Sequence, residues 1–209
     1  MAKILITAGP TREYLDPVRY LTNASSGRMG AALAAAVIQA GYQAVVVSGP
    51  VEVEYPPEAE VHRVVSTKDM LDACRRLFPQ CAGLIGAAAP CDYRPPSVAE
   101  HKIHKTSGPF RLDLVETPDV VATLAAGKRD SQWIVAFALE TKEPIKSALD
   151  KMRCKQCDMI VVNGPGAIQS SDTAVELIHS SGDSLGRFKG DKTDVAKKII
   201  DAINRHLMK

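Results

Sequence analysis

Three stretches near the amino terminus decide the fold: Lys3-Ile4-Leu5-Ile6-Thr7, then residues 26–40 (SGRMGAALAAAVIQA), then Ala44-Val45-Val46-Val47-Ser48. The first and third are short apolar runs without polar alternation, the pattern of strands covered on both faces. The second is Ala-rich, carries Met29, Leu33 and Val37 at helical spacing, and stops at Gly41. Ala8-Gly9-Pro10 and Gly49-Pro50 close the two strands. Strand, helix and strand in this order make a parallel crossover unit.

The same rhythm continues outward. Val61–Val65 reads as a strand, followed by a helix capped by Thr67 that presents Met70, Leu71 and Cys74. Ala82–Ala88 is a buried strand, and Pro118–Gly127 a helix with Thr117 as cap. Trp133–Leu139 is a strand, and Glu143–Cys154 a helix with Ile145, Leu149 and Met152 inward. Asp158–Asn163 is a further strand, and Lys192–Leu207 a closing amphipathic helix. The expected fold is α/β: a Rossmann-like, doubly wound, mostly parallel sheet, as one domain over residues 1–209. Two stretches break the rhythm: a long loop, Gly9–Ser25, and a long excursion, Ala89–Glu116. The excursion holds a possible extra strand, Phe110–Val115, with apolar residues alternating with Arg111 and Asp113, and it reads as a flap or dimerisation arm.

Composition narrows the function. The 209 residues carry 26 Lys plus Arg against 24 Asp plus Glu, a formal net charge of +2, so no nucleic-acid partner is expected. Aromatic residues are 5%, too few for stacking platforms along single-stranded nucleic acid. No uncharged apolar run reaches the ~18 residues needed to cross a bilayer, so no membrane partner is expected either. The five cysteines are odd in number and scattered, which points to reduced thiols in the cytoplasm. Cys154-x-x-Cys157 ends a helix instead of starting one, the wrong polarity for a redox pair, and reads as incidental.

Ligands of an open parallel sheet lie at the carboxyl ends of its strands. Four such segments converge there: Gly9 to Gly30, with Thr11-Arg12 and Asn23 to Gly30 inside it, Gly86 to Arg94, Ala136 to Thr141, and Asn163 to Gly166. Ser25-Ser26-Gly27-x-x-Gly30 opens the first helix, where free N–H groups and the helix dipole favour a phosphate. The two glycines also read as packing residues between helix and sheet. This is not the dinucleotide fingerprint, because Ser25 stands where its first Gly belongs. Asp92 reads either as a ligand for a divalent cation or as a turn former. Lys102 and Lys105 read either as a flap over a polyphosphate or as a solvated face, and Lys151 and Lys155 share one helix face with the same two readings.

These motifs resemble phosphopantothenoylcysteine synthetase, a bacterial ligase of coenzyme A biosynthesis. The likeness is carried by Gly9-Pro10-Thr11-Arg12-Glu13, Asp16-Pro17-Val18-Arg19-Tyr20-Leu21-Thr22-Asn23-x-Ser25-Ser26-Gly27-Arg28-Met29-Gly30, and Asp92-Tyr93-Arg94-Pro95. Lys102-Ile103-His104-Lys105, Thr117-Pro118-Asp119, Phe137-Ala138-x-Glu140-Thr141 and Lys151-x-x-x-Lys155-x-x-Asp158 follow in order. The resemblance implies a homodimer that needs Mg²⁺ and uses CTP to activate the carboxylate of 4′-phosphopantothenate as an acyl-CMP, which L-cysteine then attacks.

By position, the resemblance implies a nucleotide site at Gly86, Ala87, Ala88, Asp92, Lys102, Thr117, Pro118, Asp119, Val120, Phe137, Lys151 and Lys155. Ser25, Ser26 and Gly27 join it as the anion loop. Asn23 matches the asparagine assigned to the acyl carbonyl, Lys102 the flap lysine, and Asp92 a ligand of Mg²⁺. Pro10, Tyr14, Pro90-Cys91, His104 and Gly164 depart from the family's common residues, and none of them removes a proposed catalytic group. The family is often fused behind a flavin-dependent decarboxylase, so a stand-alone synthetase or an excised domain is expected. A non-catalytic nucleotide-binding module is one alternative. An NAD(P)-dependent reductase is the other, but none of the five Tyr is followed by Lys four residues on.

Overall fold

The protein is described by a computed structural model over residues 1–105, 107–139, 144–163 and 172–208, without the side chains of Pro144 and Ile145. Glu140, Thr141 and Gly164 to Gly166, named in the sequence reading, lie outside the described residues, as does the side chain of Ile145. Within the core sheet, β1 (Lys3–Ala8) and β4 (Gln43–Ser48) are parallel and joined by α1 (Arg28–Gln39). β5 (Glu60–Arg63) pairs outside β4, and α2 (Thr67–Leu77) returns the chain to β6 (Gly83–Gly86) on the other side of β1. Beyond it, α3 (Val120–Ala126) leads to β9 (Trp133–Leu139), and α4 (Pro144–Cys154) leads to β10 (Met159–Asn163). β11 (Asp172–His179) and β12 (Ser184–Asp191) add an antiparallel edge, and α5 (Lys192–His206) closes the chain. The sheet order is β12-β11-β10-β9-β6-β1-β4-β5.

Alternation along the strands divides the core in two. Ile4, Ile6, Val46, Val135, Val161 and Leu177 are buried against α1 and α5, where Leu33, Val37, Val195 and Ile199 meet them. Leu5, Val45, Leu84, Ile134 and Ile160 face Met70, Leu124 and Met152 of α2, α3 and α4. Both faces are covered, as the uninterrupted apolar strands require. Among the described residues, no helix is long and apolar enough to cross a membrane.

The mostly parallel α/β expectation holds, and the differences are local. Gly9–Ser25 is a β-hairpin, β2 (Arg12–Asp16) and β3 (Arg19–Thr22), instead of a plain loop. The β11–β12 hairpin has no counterpart in the sequence reading, because Asp172, Glu176, Arg187 and Lys189 interrupt its apolar pattern. Phe110–Val115 is not a strand: only β8 (Val115–Glu116) pairs, with β7 (Tyr93–Arg94), and residues 110–114 lie outside it.

Both assigned threonine caps are also corrected. Ser66 caps α2 in a capping box with Asp69, and Asp119 caps α3 by accepting the Ala122 N–H at 2.9 Å.

Asp16, fully buried, anchors the excursion. Its Oδ1 accepts the N–H groups of Val18 and Arg19, both at 2.9 Å, and its Oδ2 accepts that of Ile103 at 3.1 Å. Burial pushes its carboxyl up, but the backbone bonds from Val18, Ile103 and Arg19 and the Arg19 guanidinium outweigh it and hold it below the usual carboxylate value.

Asp16→Asn separates these two duties. An amide keeps the oxygen that serves Val18 and Arg19 but sets N–H against the N–H of Ile103. Limited trypsin digestion is expected to cleave after Lys102 and Lys105 faster in this variant than in wild type, with the rest of the chain intact. Equal rates of cleavage contradict the anchor.

Candidate active site

The carboxyl ends of the parallel strands open into two joined clefts, one on each face of the sheet. The cleft on the α1/α5 face, about 470 Å³, is lined by Asn23 to Gly30, Ala87, Phe137 and Asn163, and also by Thr173 and Lys192. That on the α3 side, about 290 Å³, is lined by Gly86, Thr117, Pro118, Asp119, Val120 and Val121 among others. Ala88, Asp92, Phe137 and Lys155 line both. Among the described residues, the proposed site therefore gathers on one rim, with Lys102 as the exception.

The start of α1 shows why two glycines stand there. Gly27 is its N-cap at φ +74°, a left-handed conformation that costs other residues strain, and no side chain accepts from the first-turn N–H groups. A Cβ on Gly30 would fall 2.3 Å from the Ala8 Cβ, so Gly30 lets α1 lie directly on β1. Ser25 and Ser26 line the cleft without capping the helix. Packing fixes both glycines, and the open N–H groups of the same turn are those that accept an anion.

Asp92 is positioned through its neighbour. The Cys91 N–H donates to Thr11 Oγ1 at 2.8 Å. The Cys91 carbonyl accepts from Thr67 Oγ1 at 3.3 Å and, more closely, from Thr117 Oγ1. Thr11 and Thr67 hydroxyls also bond each other at 2.8 Å, and the Thr67 N–H donates to buried Glu13 at 2.7 Å. Thr67 and Thr117 thus hold the peptide ahead of Asp92. The Thr117 N–H then donates to the Asp92 carbonyl at 2.9 Å. Burial pushes the Cys91 thiol up, so it is a packing group rather than a nucleophile.

Asn23 reaches the same loop. Its amide donates to the Pro90 carbonyl at 2.8 Å and to that of Ala89 at 3.3 Å, so it braces residues 89–90 and does not cap α1. Lys155 Nζ pairs with Asp119 Oδ2 at 2.9 Å. Burial pushes the Asp119 carboxyl up, but the Ala122 N–H and Lys155 outweigh it and hold it below the ordinary value. Lys151 lies one turn earlier on the same face of α4 and lines the first cleft. Lys102, with His104 and Lys105, is exposed on the excursion and lines neither cleft.

Sequence reasoning missed Thr173 and Lys192 as lining residues, and it gave no role to Arg28 within the Asn23 to Gly30 segment. Thr173 lies in a hairpin that was not recognised, and a lysine opening an amphipathic helix carries no distinguishing signal. Cys157 is buried and its thiol is pushed up to about 12 by that burial, which agrees with an incidental Cys-x-x-Cys.

The fold and its rim define a Rossmann-like α/β domain with a cationic, two-sided cleft at the strand carboxyl ends. The chain belongs to the family described as the DNA/pantothenate metabolism flavoprotein C-terminal domain, whose model matches residues 1–207. It is 41% identical over 187 residues, 86% of its length, to the coenzyme A biosynthesis bifunctional protein CoaBC of Vibrio vulnificus. It covers 46% of that relative, and it spans about half the length of the other CoaBC proteins it matches. The crystal structure of the C-terminal domain of a CoaBC superposes with a TM-score of 0.82 at 34% identity, covering 98% of this chain and 94% of that one. A Cab2 variant in complex with phosphopantothenate-cysteine shares the fold, with a TM-score of 0.80 at 17% identity over 98% of this chain and 86% of that one.

Asp119 combines a cap and a charge pair, and two variants part them. Asp119→Ala is expected to lower the unfolding free energy by about 1 kcal/mol, whereas Asp119→Asn retains most of the cap. The carboxylate's contribution is complete above its unfolded pKa of ~3.9 and is lost as pH falls through the lower folded value. Urea denaturation at neutral and acid pH checks this. Equal losses in both variants would assign the effect to Lys155 instead of the cap.

Proposed function

We propose that this chain is a phosphopantothenate–cysteine ligase that uses CTP with Mg²⁺. A carboxylate is a poor electrophile and has no adequate leaving group. Its oxygen attacks the α-phosphorus of the nucleotide, pyrophosphate leaves, and a phosphopantothenoyl-CMP results. The amine of L-cysteine then attacks the acyl carbon, CMP departs with the bonding pair, and the amine releases a proton. This chemistry needs bound phosphates, a polarised carbonyl and close alignment of the two reactants, and no protein nucleophile.

One observation carries the reading. Asn23, Asp92, Phe137, Lys151 and Lys155 line one cleft with the uncapped start of α1. A phosphate on the Gly27–Gly30 turn, lysines across the cleft and an amide at its lip supply the parts the reaction requires.

Asp92 lies where the two clefts meet, and Mg²⁺ is commonly held by one or two carboxylates together with substrate phosphates. Asp92 would hold it, and the ion would neutralise charge on the phosphates and on the departing pyrophosphate.

A homodimer supports the role given to Lys102. Tyr93, Val98, Phe110, Leu114 and Val115 are exposed apolar residues on the excursion, and Val18 and Tyr20 are exposed on the β2–β3 hairpin. A second copy covering them would bring the excursion and Lys102 to the neighbouring cleft. Such an enzyme works in the cytoplasm, beside a flavin-dependent decarboxylase that consumes its product.

Asp92→Asn and Lys102→Gln are each expected to lower kcat/KM for CTP by roughly 10- to 150-fold, the effect of about 1.5–3 kcal/mol from one charge-assisted contact. Normal kinetics in both variants would show that the nucleotide is bound elsewhere. Asn23→Ala separates the half-reactions. If its amide stabilises the oxyanion, cysteine attack slows by roughly 10²–10³ while pyrophosphate release persists and acyl-CMP accumulates. Single-turnover chromatography with labelled CTP reads both steps. An equal slowing of the two assigns Asn23 to bracing the 89–90 loop alone.

A further inference from the structure

The cleft on the α1/α5 face holds a second polar group for which the ligase reading has no task. Arg28 is the first residue of α1 and Lys192 the first residue of α5, and the two helices pack against one another with their starts at this cleft. Lys192 is only 8% exposed. Burial, together with the charge of Arg28, pushes its ammonium below the ordinary lysine value. Among the described residues, Arg28 forms no salt bridge. The carboxylate next in sequence, Asp191, is turned to its own helix and accepts the Thr193 N–H at 2.7 Å.

A separate observation points to a ligand. Thr173 is 5% exposed and lines the same cleft, and its Oγ1 has no hydrogen-bond partner among the described residues. The Oδ1 of Asn163, on the neighbouring strand, is likewise buried and without a partner. Buried polar groups are nearly always satisfied, so an orphaned hydroxyl beside two cations marks a place where something else supplies the acceptor. A tetrahedral oxyanion meets the requirement. Its oxygens accept from the ammonium, the guanidinium, the hydroxyl and the first-turn N–H groups at once. The Asn163 oxygen is an acceptor and repels an anion, so it asks for a hydroxyl or amino group on the same ligand.

We propose that Arg28, Lys192 and Thr173 form a phosphoryl subsite of this cleft, distinct from Lys151 and Lys155 on α4, with Asn163 receiving a neighbouring hydroxyl or amine of the ligand. This rests on the reading of the cleft as a site for phosphorylated substrates. Two groups share the chemistry, the terminal phosphates of the nucleotide and the 4′-phosphate of the acid.

Calorimetric titration of the full chain with inorganic pyrophosphate, and separately with 4′-phosphopantothenate, tests the subsite in wild type, Lys192→Met and Thr173→Val. Lys192→Met is expected to raise Kd for one probe by roughly 10- to 150-fold, and Thr173→Val by roughly 3- to 10-fold. Loss confined to pyrophosphate assigns the nucleotide's phosphates, and loss confined to phosphopantothenate assigns the acid's.

Thr173→Val removes a buried hydroxyl that has no hydrogen-bond partner among the described residues, so the melting temperature of this variant is expected to hold or rise while binding falls. A merely structural role moves both downward together, and that outcome overturns the proposal. So does wild-type binding in both variants, or a wild type that binds neither probe. Wild type that binds a probe but yields no phosphopantothenoylcysteine from CTP contradicts the ligase reading and leaves the subsite standing.

Discussion

Three threonine hydroxyls hold the backbone of one residue, Cys91, and the geometry of the rim follows from it. The Cys91 backbone is buried between the β2–β3 hairpin and the starts of two helices, where its N–H and C=O have no ladder to join. Thr11, Thr67 and Thr117 supply the partners. Leaving such a buried group unpaired costs about 1–3 kcal/mol, so the loop has little freedom to take another path. The Pro90 and Ala89 carbonyls that receive Asn23 belong to the two residues before Cys91, and Asp92 follows it. A bridge between Pro10 and Ala89 joins the same loop to the chain leaving β1. One buried network therefore sets the spacing of the amide and the carboxylate across the cleft mouth.

Charge is concentrated around that spacing. The net charge of the chain is close to zero, yet the cleft receives Arg28, Lys151, Lys155 and Lys192. Of these, Lys155 is held by Asp119, which also caps α3, so that cation is ordered before any ligand arrives. Cations distributed on both faces of the sheet suit a ligand that crosses its edge, with Phe137 and Ala88 at the crossing. Ordering such groups in advance lowers the cost of alignment when the reactants bind.

The parallel strands were legible because their apolar runs had one interpretation, a sheet covered on both faces. Trp133–Leu139 matches β9 residue for residue, and Lys3–Thr7 matches β1 within one residue. The antiparallel edge was not legible, since polar residues and glycines in β11 and β12 disguise its period of two. Helix starts were misread at Thr67 and Thr117 for a physical reason: a threonine before a helix suits a cap, but these two spend their hydroxyls on Cys91. Ser66 with Asp69, three residues on, was the capping signal that could have been read. In the cleft, Asn23, Asp92 and the α4 lysines could be placed because they follow strands or share a helix face. Thr173 and Lys192 could not, because they reach the rim only through the unrecognised edge hairpin.

In the proposed reaction the rim activates a carboxylate on a nucleotide before any amine takes part. Exchange of labelled pyrophosphate into CTP tests it most directly, because it reports reversible acyl-CMP formation alone. Exchange is expected to require 4′-phosphopantothenate and Mg²⁺ and to proceed without L-cysteine. Exchange that is absent with both present, or that proceeds equally well without phosphopantothenate, contradicts it.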